Sequence, residues 1–122
     1  MKVIDASALA AVVFDEPEAD GVLAETDGEE LHAPPLLRFE LTNIAWKKSR
    51  QRPDASAVIA EHLRDALTVP LTLVEVDHEA VLQLAVKHKM TAYDASYLWL
   101  ARHLGAALVT LDRGLRRRAT QP

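Results

Sequence analysis

Short apolar runs alternate with longer segments of helical spacing along this chain. The runs Lys2–Ile4 and Ala107–Leu111 predict buried strands, Leu71–Val76 a third, and Leu31–Ala33 a brief strand or loop. The segments with helical signals predict helices at Ser7–Phe14, Pro17 to about Glu25, Pro34 to about Ser49, from Pro53 up to Pro70, from Asp77 or His78 onward, Thr91–Leu104 and Arg113–Arg118. Strands that alternate with helices predict an α/β fold with a mainly parallel sheet.

Composition and length indicate one globular domain that spans residues 1–122. Hydrophobic residues make up 49% of the chain and charged residues 26%, as in proteins with a packed core. The chain is too short for two domains of ordinary size. It contains no cysteine, which excludes disulfides, thiolate metal sites and cysteine nucleophiles.

The N-terminal segment does not resemble a signal peptide. Asp5 interrupts the apolar stretch that ends at Phe14, and an acidic segment, 15–18, follows at once. No run of the sequence approaches the roughly 18 apolar residues that a membrane-spanning helix needs. We therefore expect an unprocessed cytoplasmic protein without a membrane partner.

Charge is distributed unevenly around a net value of −4. Residues 1–46 hold ten acids and two bases, whereas residues 47–122 hold twelve bases and eight acids. The bases cluster at Lys47, Lys48, Arg50 and Arg52, at Lys87 and Lys89, and at Arg113, Arg116, Arg117 and Arg118. Such clusters suit a phosphate backbone, but cations are also favourable at helix C-termini, and both interpretations stay open.

Four acids, Asp5, Glu40, Asp94 and Asp112, each lie in or beside an apolar segment. A carboxylate near a core is costly unless a partner compensates it, and a divalent cation is a common partner. Asp5 and Asp112 follow predicted parallel strands, at the sheet edge where ligands bind in α/β folds. An all-oxygen set of this kind predicts a Mg²⁺ or Mn²⁺ site that supports phosphodiester hydrolysis by activated water.

Helix capping is the alternative explanation for three of these acids. Asp5 and Asp112 each precede a predicted helix, and Thr91 with Asp94 has the spacing of a capping box. Glu40 has no such role, because it falls mid-helix on the stripe that should face the core. Three weaker polar candidates, Ser7, Asn43 and Thr110, stand near the acids, and their roles stay open.

In this order, the segments that carry the acids resemble the PIN-domain family, specifically VapC-type toxins of toxin–antitoxin systems. The similar segments are Val3–Leu9 with Asp15-Glu16-Pro17, Ala33–Leu36 leading to Glu40 and Asn43, Tyr93–Ala101, and Val109–Asp112. The resemblance runs nearly end to end, and only the region from Pro53 to Thr72 matches nothing specific.

This resemblance implies a single PIN-like nuclease domain with a central, mainly parallel sheet flanked by helices. It implies a Mg²⁺- or Mn²⁺-dependent endoribonuclease in which Asp5, Glu40, Asp94 and Asp112 are both the catalytic and the metal-binding residues. The implied partners are an RNA substrate, a cognate antitoxin that covers the active-site groove, and a second copy in a homodimer. Which RNA is cut and whether one or two ions act stay open.

Two other classes of protein fit parts of the sequence. A receiver domain of signalling systems has similar length and alternation, but it needs clustered acids after its first strand and a lysine after a late one. Here Asp5 stands alone and Arg113 follows Asp112. A non-catalytic binding module with the same fold is the second alternative, although such a module has no physical need for a buried Glu40.

Overall fold

The computed structural model describes residues 1–121, in which four short strands form one sheet. The strands are β1 Lys2–Ile4, β2 Leu31–Ala33, β3 Thr72–Leu73 and β4 Ala107–Val109. Their order is β3-β2-β1-β4, and every neighbouring pair is parallel. In this register Val3 lies between His32 on one side and Leu108 on the other. The predicted α/β class with a parallel sheet is confirmed.

Helices make up most of the rest of residues 1–121. They are α1 Ala6–Val13, α2 Ala19–Thr26, α3 Leu36–Gln51, α4 Ser56–Thr68, α5 His78–His88, α6 Ala92–Leu104 and α7 Arg113–Ala119. A short 3-10 turn, Pro53–Ala55, joins α3 to α4. Within residues 1–121 no helix combines the length and apolar character needed to cross a bilayer.

The core is built around β1, α1 and α6. Val3 and Ile4 of β1 are at most 1% exposed, as are Leu98 and Leu100 of α6. Helix α1 contributes mainly alanines to this core, and Ala8 is fully buried. Because small side chains allow close approach, α1 packs tightly against the core directly after β1. Asp5 is the residue that connects β1 to α1.

Several predicted boundaries were wrong. Helix α3 begins at Leu36 rather than Pro34, and α4 begins at Ser56, after the 3-10 turn, rather than at Pro53. Helix α2 begins at Ala19 rather than Pro17, because Asp15 turns the chain with φ 52° and the Glu16 N–H bonds back to Ala11 at 2.8 Å. Strand β3 covers two residues of the predicted 71–76, since its partner β2 is only three residues long. Strand β4 ends at Val109 rather than Leu111, because the N–H groups of Leu111 and Asp112 bond to side-chain hydroxyls instead of to a neighbouring strand.

Candidate active site

Asp5 lies at the point of the sheet where the strand order reverses. From β1 the chain continues to β2 on one side, whereas β4 lies on the other side of β1. In open parallel sheets a crevice for ligands forms at this point, outside the carboxyl ends of the strands. Asp5 directly follows β1, and its N–H donates to the Val109 carbonyl at 3.1 Å. The predicted placement of Asp5 at this edge is confirmed.

Asp5 is 5% exposed, and hydrogen bonds reach both of its carboxylate oxygens. Oδ1 accepts from the Ser7 hydroxyl at 2.7 Å and from the Ala8 N–H at 3.0 Å, so Asp5 is the N-cap of α1. Oδ2 accepts from the Thr110 hydroxyl, which is completely buried. Burial raises the pKa of Asp5, these three hydrogen bonds oppose the rise, and the charge of Asp112 adds to it.

Ser7 and Thr110 also connect the end of β4 to the start of α1. The Leu111 N–H donates to Ser7 Oγ at 3.0 Å, and the Asp112 N–H donates to Thr110 Oγ1 at 3.0 Å. Each hydroxyl therefore donates to the Asp5 carboxylate and accepts from the segment after β4. Ser7 and Thr110 were only weak candidates in the sequence, and the structure places both between the first and last of the four acids.

Asp112 differs from Asp5 because its side chain is exposed. Its Oδ1 accepts from the Leu115 N–H at 2.9 Å and caps α7. Gly114 gives this carboxylate room, since a Cβ there would lie 3.3 Å from Asp112 Oδ1. The capping explanation thus holds for Asp5 and for Asp112.

Glu40 lies on α3 at the edge of its buried stripe. Leu37 and Leu41 are at most 1% exposed, while Glu40 is partly buried. Its Oε1 accepts from the Tyr97 hydroxyl at 2.6 Å, and Tyr97 of α6 is 1% exposed. Burial raises the pKa of Glu40, the Tyr97 hydrogen bond opposes the rise, and the charges of Asp5 and Asp94 add to it. The hydroxyl of Tyr97 is the Glu40 partner that sequence reasoning missed.

Asp94 lies in the first turn of α6 and is partly buried. Its N–H donates to Thr91 Oγ1 at 3.1 Å, which is one half of the predicted capping box. No hydrogen-bond donor within residues 1–121 reaches its carboxylate, so the other half is missing. Burial raises the pKa of Asp94, and the charges of Asp112 and Asp5 raise it further.

All four acids line one cavity of about 510 Å³, which we call the acid cavity. Its wall also includes Asn43 and Lys47 of α3 and the exposed Tyr93 of α6. The four side chains come from four different elements or connections, and three of them have pKa values raised by burial and by one another's charge. Within residues 1–121, however, no three histidine or carboxylate side chains are grouped so that they could hold a metal ion as they stand.

The chain matches a known protein family over nearly its whole length. The PIN domain profile matches residues 2–121. The chain belongs to the PIN domain family. This PIN domain is 38% identical over 120 residues to ribonuclease VapC3 of Pyrobaculum aerophilum, covering 93% of this chain and 90% of the relative.

Two further relatives come from the same organism. Exonuclease VapC9 is 36% identical over 87 residues, which cover 71% of this PIN domain and 65% of the relative. The crystal structure of PAE2754 superposes with a TM-score of 0.80 at 32% identity and covers 98% of this chain and 79% of that one. Membership of the family and the fold that the sequence predicted are therefore confirmed.

Several lysines and arginines of the predicted basic clusters lie in two different cavities or in salt bridges. Lys47 lines the acid cavity, whereas its neighbour Lys48 pairs with Glu16 at 3.0 Å. Arg116 lies 3.6 Å from Glu25 and donates to the Thr110 carbonyl at 2.7 Å. Arg117 and Arg118 line a different cavity, described below. One cation of the first cluster is thus placed to meet a substrate at the acids.

Proposed function

We propose that this PIN domain is a VapC-type toxin ribonuclease that cuts RNA within the strand. The observation that carries the proposal is the convergence of Asp5, Glu40, Asp94 and Asp112 on one cavity, in a chain whose relatives include a protein named ribonuclease VapC3. Membership of the PIN family removes the receiver-domain alternative. We propose that residues 1–122 act as one nuclease unit, with all four acids as its catalytic and metal-binding residues.

We further propose that the acid cavity binds Mg²⁺ or Mn²⁺. All four candidate ligands are carboxylates, the donors that these hard cations prefer. Mutual repulsion and burial raise the pKa of three of them, and a bound cation would relieve both costs. Since the carboxylates are not grouped for a single ion as they stand, an ion would have to draw the more exposed ones inward. When bound, the cation would supply activation of water and stabilisation of the leaving oxygen.

The other residues of the cavity would orient the acids and the substrate. Ser7 and Thr110 donate to Asp5, which holds its carboxylate in one orientation and favours the ionised form. Tyr97 does the same for Glu40. Lys47 is placed to attract a phosphate of the RNA to the cavity wall. We propose no specific role for Asn43.

A cognate antitoxin and a second copy of the chain are the proposed protein partners. Exposed apolar side chains lie at the mouth of the acid cavity, Phe39 and Tyr93, and along α5, Leu82 and Val86. Contiguous exposed apolar side chains commonly mark protein interfaces. We propose that they serve the homodimer or the antitoxin that covers the groove. The cytoplasmic location expected from the sequence stays a prediction.

A circular single-stranded RNA tests the proposed activity most directly. One relative is named an exonuclease, and a circle has no ends, so only an endonuclease opens it. We expect Mg²⁺-dependent opening of the circle, with 5′-phosphate and 3′-hydroxyl ends, and loss of activity in EDTA and in Asp5→Asn. The control Asp65→Asn, an exposed acid of α4, should remain active.

Three outcomes would contradict parts of the proposal. Shortening of linear RNA without opening of the circle would show an exonuclease. Cleavage that survives both EDTA and Asp5→Asn would refute the metal mechanism. Metal binding without cleavage of total RNA would favour the non-catalytic binding module.

A further inference from the structure

A second cavity, which we call the cationic cavity, opens beside the acid cavity. Its volume is about 490 Å³, and Asp94 and Asp112 line both cavities. The rest of its wall carries positive charge from two helix ends. Lys89 stands at the end of α5, and Arg117 and Arg118 stand in the last turn of α7.

Helix capping explains the sequence position of these cations but not their convergence. Cations in a last turn interact favourably with the helix dipole, and that would hold wherever the two helices pointed. Here the ends of α5 and α7 meet at one cavity, and Arg118 Nη1 lies 3.3 Å from His88 Nδ1. Burial and the charge of Arg118 lower the pKa of His88, which favours the neutral ring that accepts from the guanidinium.

These cations have no carboxylate partner in the part of the chain that the structure describes. Within residues 1–121 no carboxylate lies within salt-bridge distance of Lys89, Arg117 or Arg118, whereas the adjacent Arg116 pairs with Glu25. Within residues 1–121 most Lys and Arg side chains also lack a carboxylate partner, since only Lys48, Arg52 and Arg116 form salt bridges. What distinguishes Lys89, Arg117 and Arg118 is that they line one cavity beside the acids, and such a cluster of positive charge is suited to an external anion.

We propose that the cationic cavity binds a phosphate of the RNA strand that neighbours the phosphate cut in the acid cavity. The inference rests on the proposed ribonuclease function. Asp94 and Asp112 form the common wall, so a strand that crosses the acid cavity meets the cations within the next few linkages. The carboxylates repel the strand, and Lys89, Arg117 and Arg118 offset that repulsion on the side of the cationic cavity. The strand is thereby held beside the acids on that side.

Replacing one phosphodiester of the RNA at a time by an uncharged linkage tests whether the cationic cavity binds a phosphate. The substrate is a 12-nucleotide RNA that spans a mapped cleavage site, with one methylphosphonate on a 2′-deoxynucleotide placed at each linkage in turn. The matching 2′-deoxy phosphodiester serves as the substrate control. In the wild type we expect one linkage on one side of the cut whose neutralisation raises KM about tenfold, the loss expected for one charge-assisted hydrogen bond. The value of kcat should stay within about twofold, because that linkage does not react.

The variants are Arg117→Gln and Lys89→Gln, one from each helix end, so that misfolding of the short α7 cannot explain both. Each should raise KM by a similar factor on the unmodified RNA and should no longer respond to the neutral linkage. Each should also make the salt dependence of binding shallower by about 0.7, the value for one phosphate contact on a single strand. The control is Arg64→Gln, an exposed cation of α4 that lines neither cavity.

The outcomes separate this inference from the function on which it rests. If the wild type cuts no RNA, the proposed function fails. If the wild type cuts but no neutral linkage raises its KM, or if both variants stay as sensitive to that linkage as the wild type, the cationic cavity does not bind the strand. An equal rise of KM in Arg64→Gln would also overturn the inference, because the effect would then reflect net charge alone.

Discussion

The hydroxyl of Tyr97 is the contact whose removal tests the site most cleanly. It donates to Glu40 Oε1 at 2.6 Å, and the tyrosine is only 1% exposed. Tyr97→Phe removes one O–H group and leaves the packing of the ring unchanged. Since burial and Glu40 raise the pKa of Tyr97, the hydroxyl stays protonated and remains a donor at any pH of interest.

The magnitude follows from the charge of the acceptor. A hydrogen bond to a charged group contributes about 1.5–3 kcal/mol to stability, against about 1 kcal/mol for a neutral pair. Because Glu40 is partly exposed and keeps some contact with water, we expect the low end, about 1.5 kcal/mol at neutral pH. For a chain of 122 residues that loss corresponds to a melting temperature lower by roughly 5 °C.

The pH dependence has a definite sign. The Tyr97 bond opposes the rise in the pKa of Glu40, so Tyr97→Phe moves that pKa further up. At a pH between the pKa of Glu40 in the wild type and its higher pKa in the variant, the folded variant binds more protons than the folded wild type does. The stability difference between wild type and variant therefore widens as pH rises through the pKa of Glu40, and it narrows in acid.

Urea denaturation in EDTA measures these effects in a double-mutant cycle of Tyr97→Phe and Glu40→Ala. We expect a coupling energy of about 1–1.5 kcal/mol at neutral pH. Tyr93→Phe is the matched control, because Tyr93 is 63% exposed, and its effect should stay within about 0.5 kcal/mol. A coupling energy near zero, or equal effects of the two Tyr→Phe changes, would refute the assignment of Tyr97 as the partner of Glu40.

Three further predictions concern the acids and their donors. Asp5→Asn keeps an oxygen for the Ser7 hydroxyl and the Ala8 N–H, and its NH2 group can donate to the Thr110 hydroxyl oxygen in place of the bond that is lost, so metal-free melts should show no large loss of stability. Calorimetry should show Mn²⁺ binding weakened about tenfold or more. A strongly lowered melting temperature would instead favour a purely capping role. Burial raises the pKa of Asp5, Glu40 and Asp94, so these carboxyls bind protons more readily in the folded metal-free protein than in the unfolded chain. The stability that comes from this proton binding is lost as pH rises through the raised pKa values. Scanning calorimetry in EDTA should therefore show the stability of the wild type relative to Asp5→Asn improving in acid, and the opposite trend would contradict the raised pKa values. Thr110→Val should cost about 2 kcal/mol in urea melts, because a fully buried donor to Asp5 is lost, whereas Thr110→Ser should recover most of that stability.

The sequence was most informative where the signal is local. Asp5 directly follows an apolar run and precedes a helix, and that spacing alone predicts the end of a strand and an N-cap. Glu40 breaks a helical stripe of leucines, which marks it as a polar residue in need of a partner. Four acids with such local signals could be proposed together because parallel strands bring their carboxyl ends to one edge.

Contacts between distant parts of the chain could not be predicted in the same way. Tyr97 and Glu40 are 57 residues apart, and Thr110 and Asp5 are 105 apart. A tyrosine in an apolar helix and a threonine after a strand are both expected from packing and β-propensity, so neither residue type signals a bond to a carboxylate. The length of β3 was missed for a related reason, since it depends on its neighbour β2 rather than on its own apolar run.

Capping and metal binding are alternative explanations of an acid such as Asp5, but the lone pairs of one carboxylate allow both. An ionised carboxylate has about four acceptor sites, and Asp5 uses three of them, for Ser7, Ala8 and Thr110. These bonds fix the side chain before any ion arrives, which reduces the entropy lost on binding. Asn at position 5 keeps the cap and loses the charge, whereas Ala loses both. If Asp5→Asn and Asp5→Ala weaken Mn²⁺ binding equally but only Asp5→Ala lowers stability, Asp5 serves both purposes through different lone pairs.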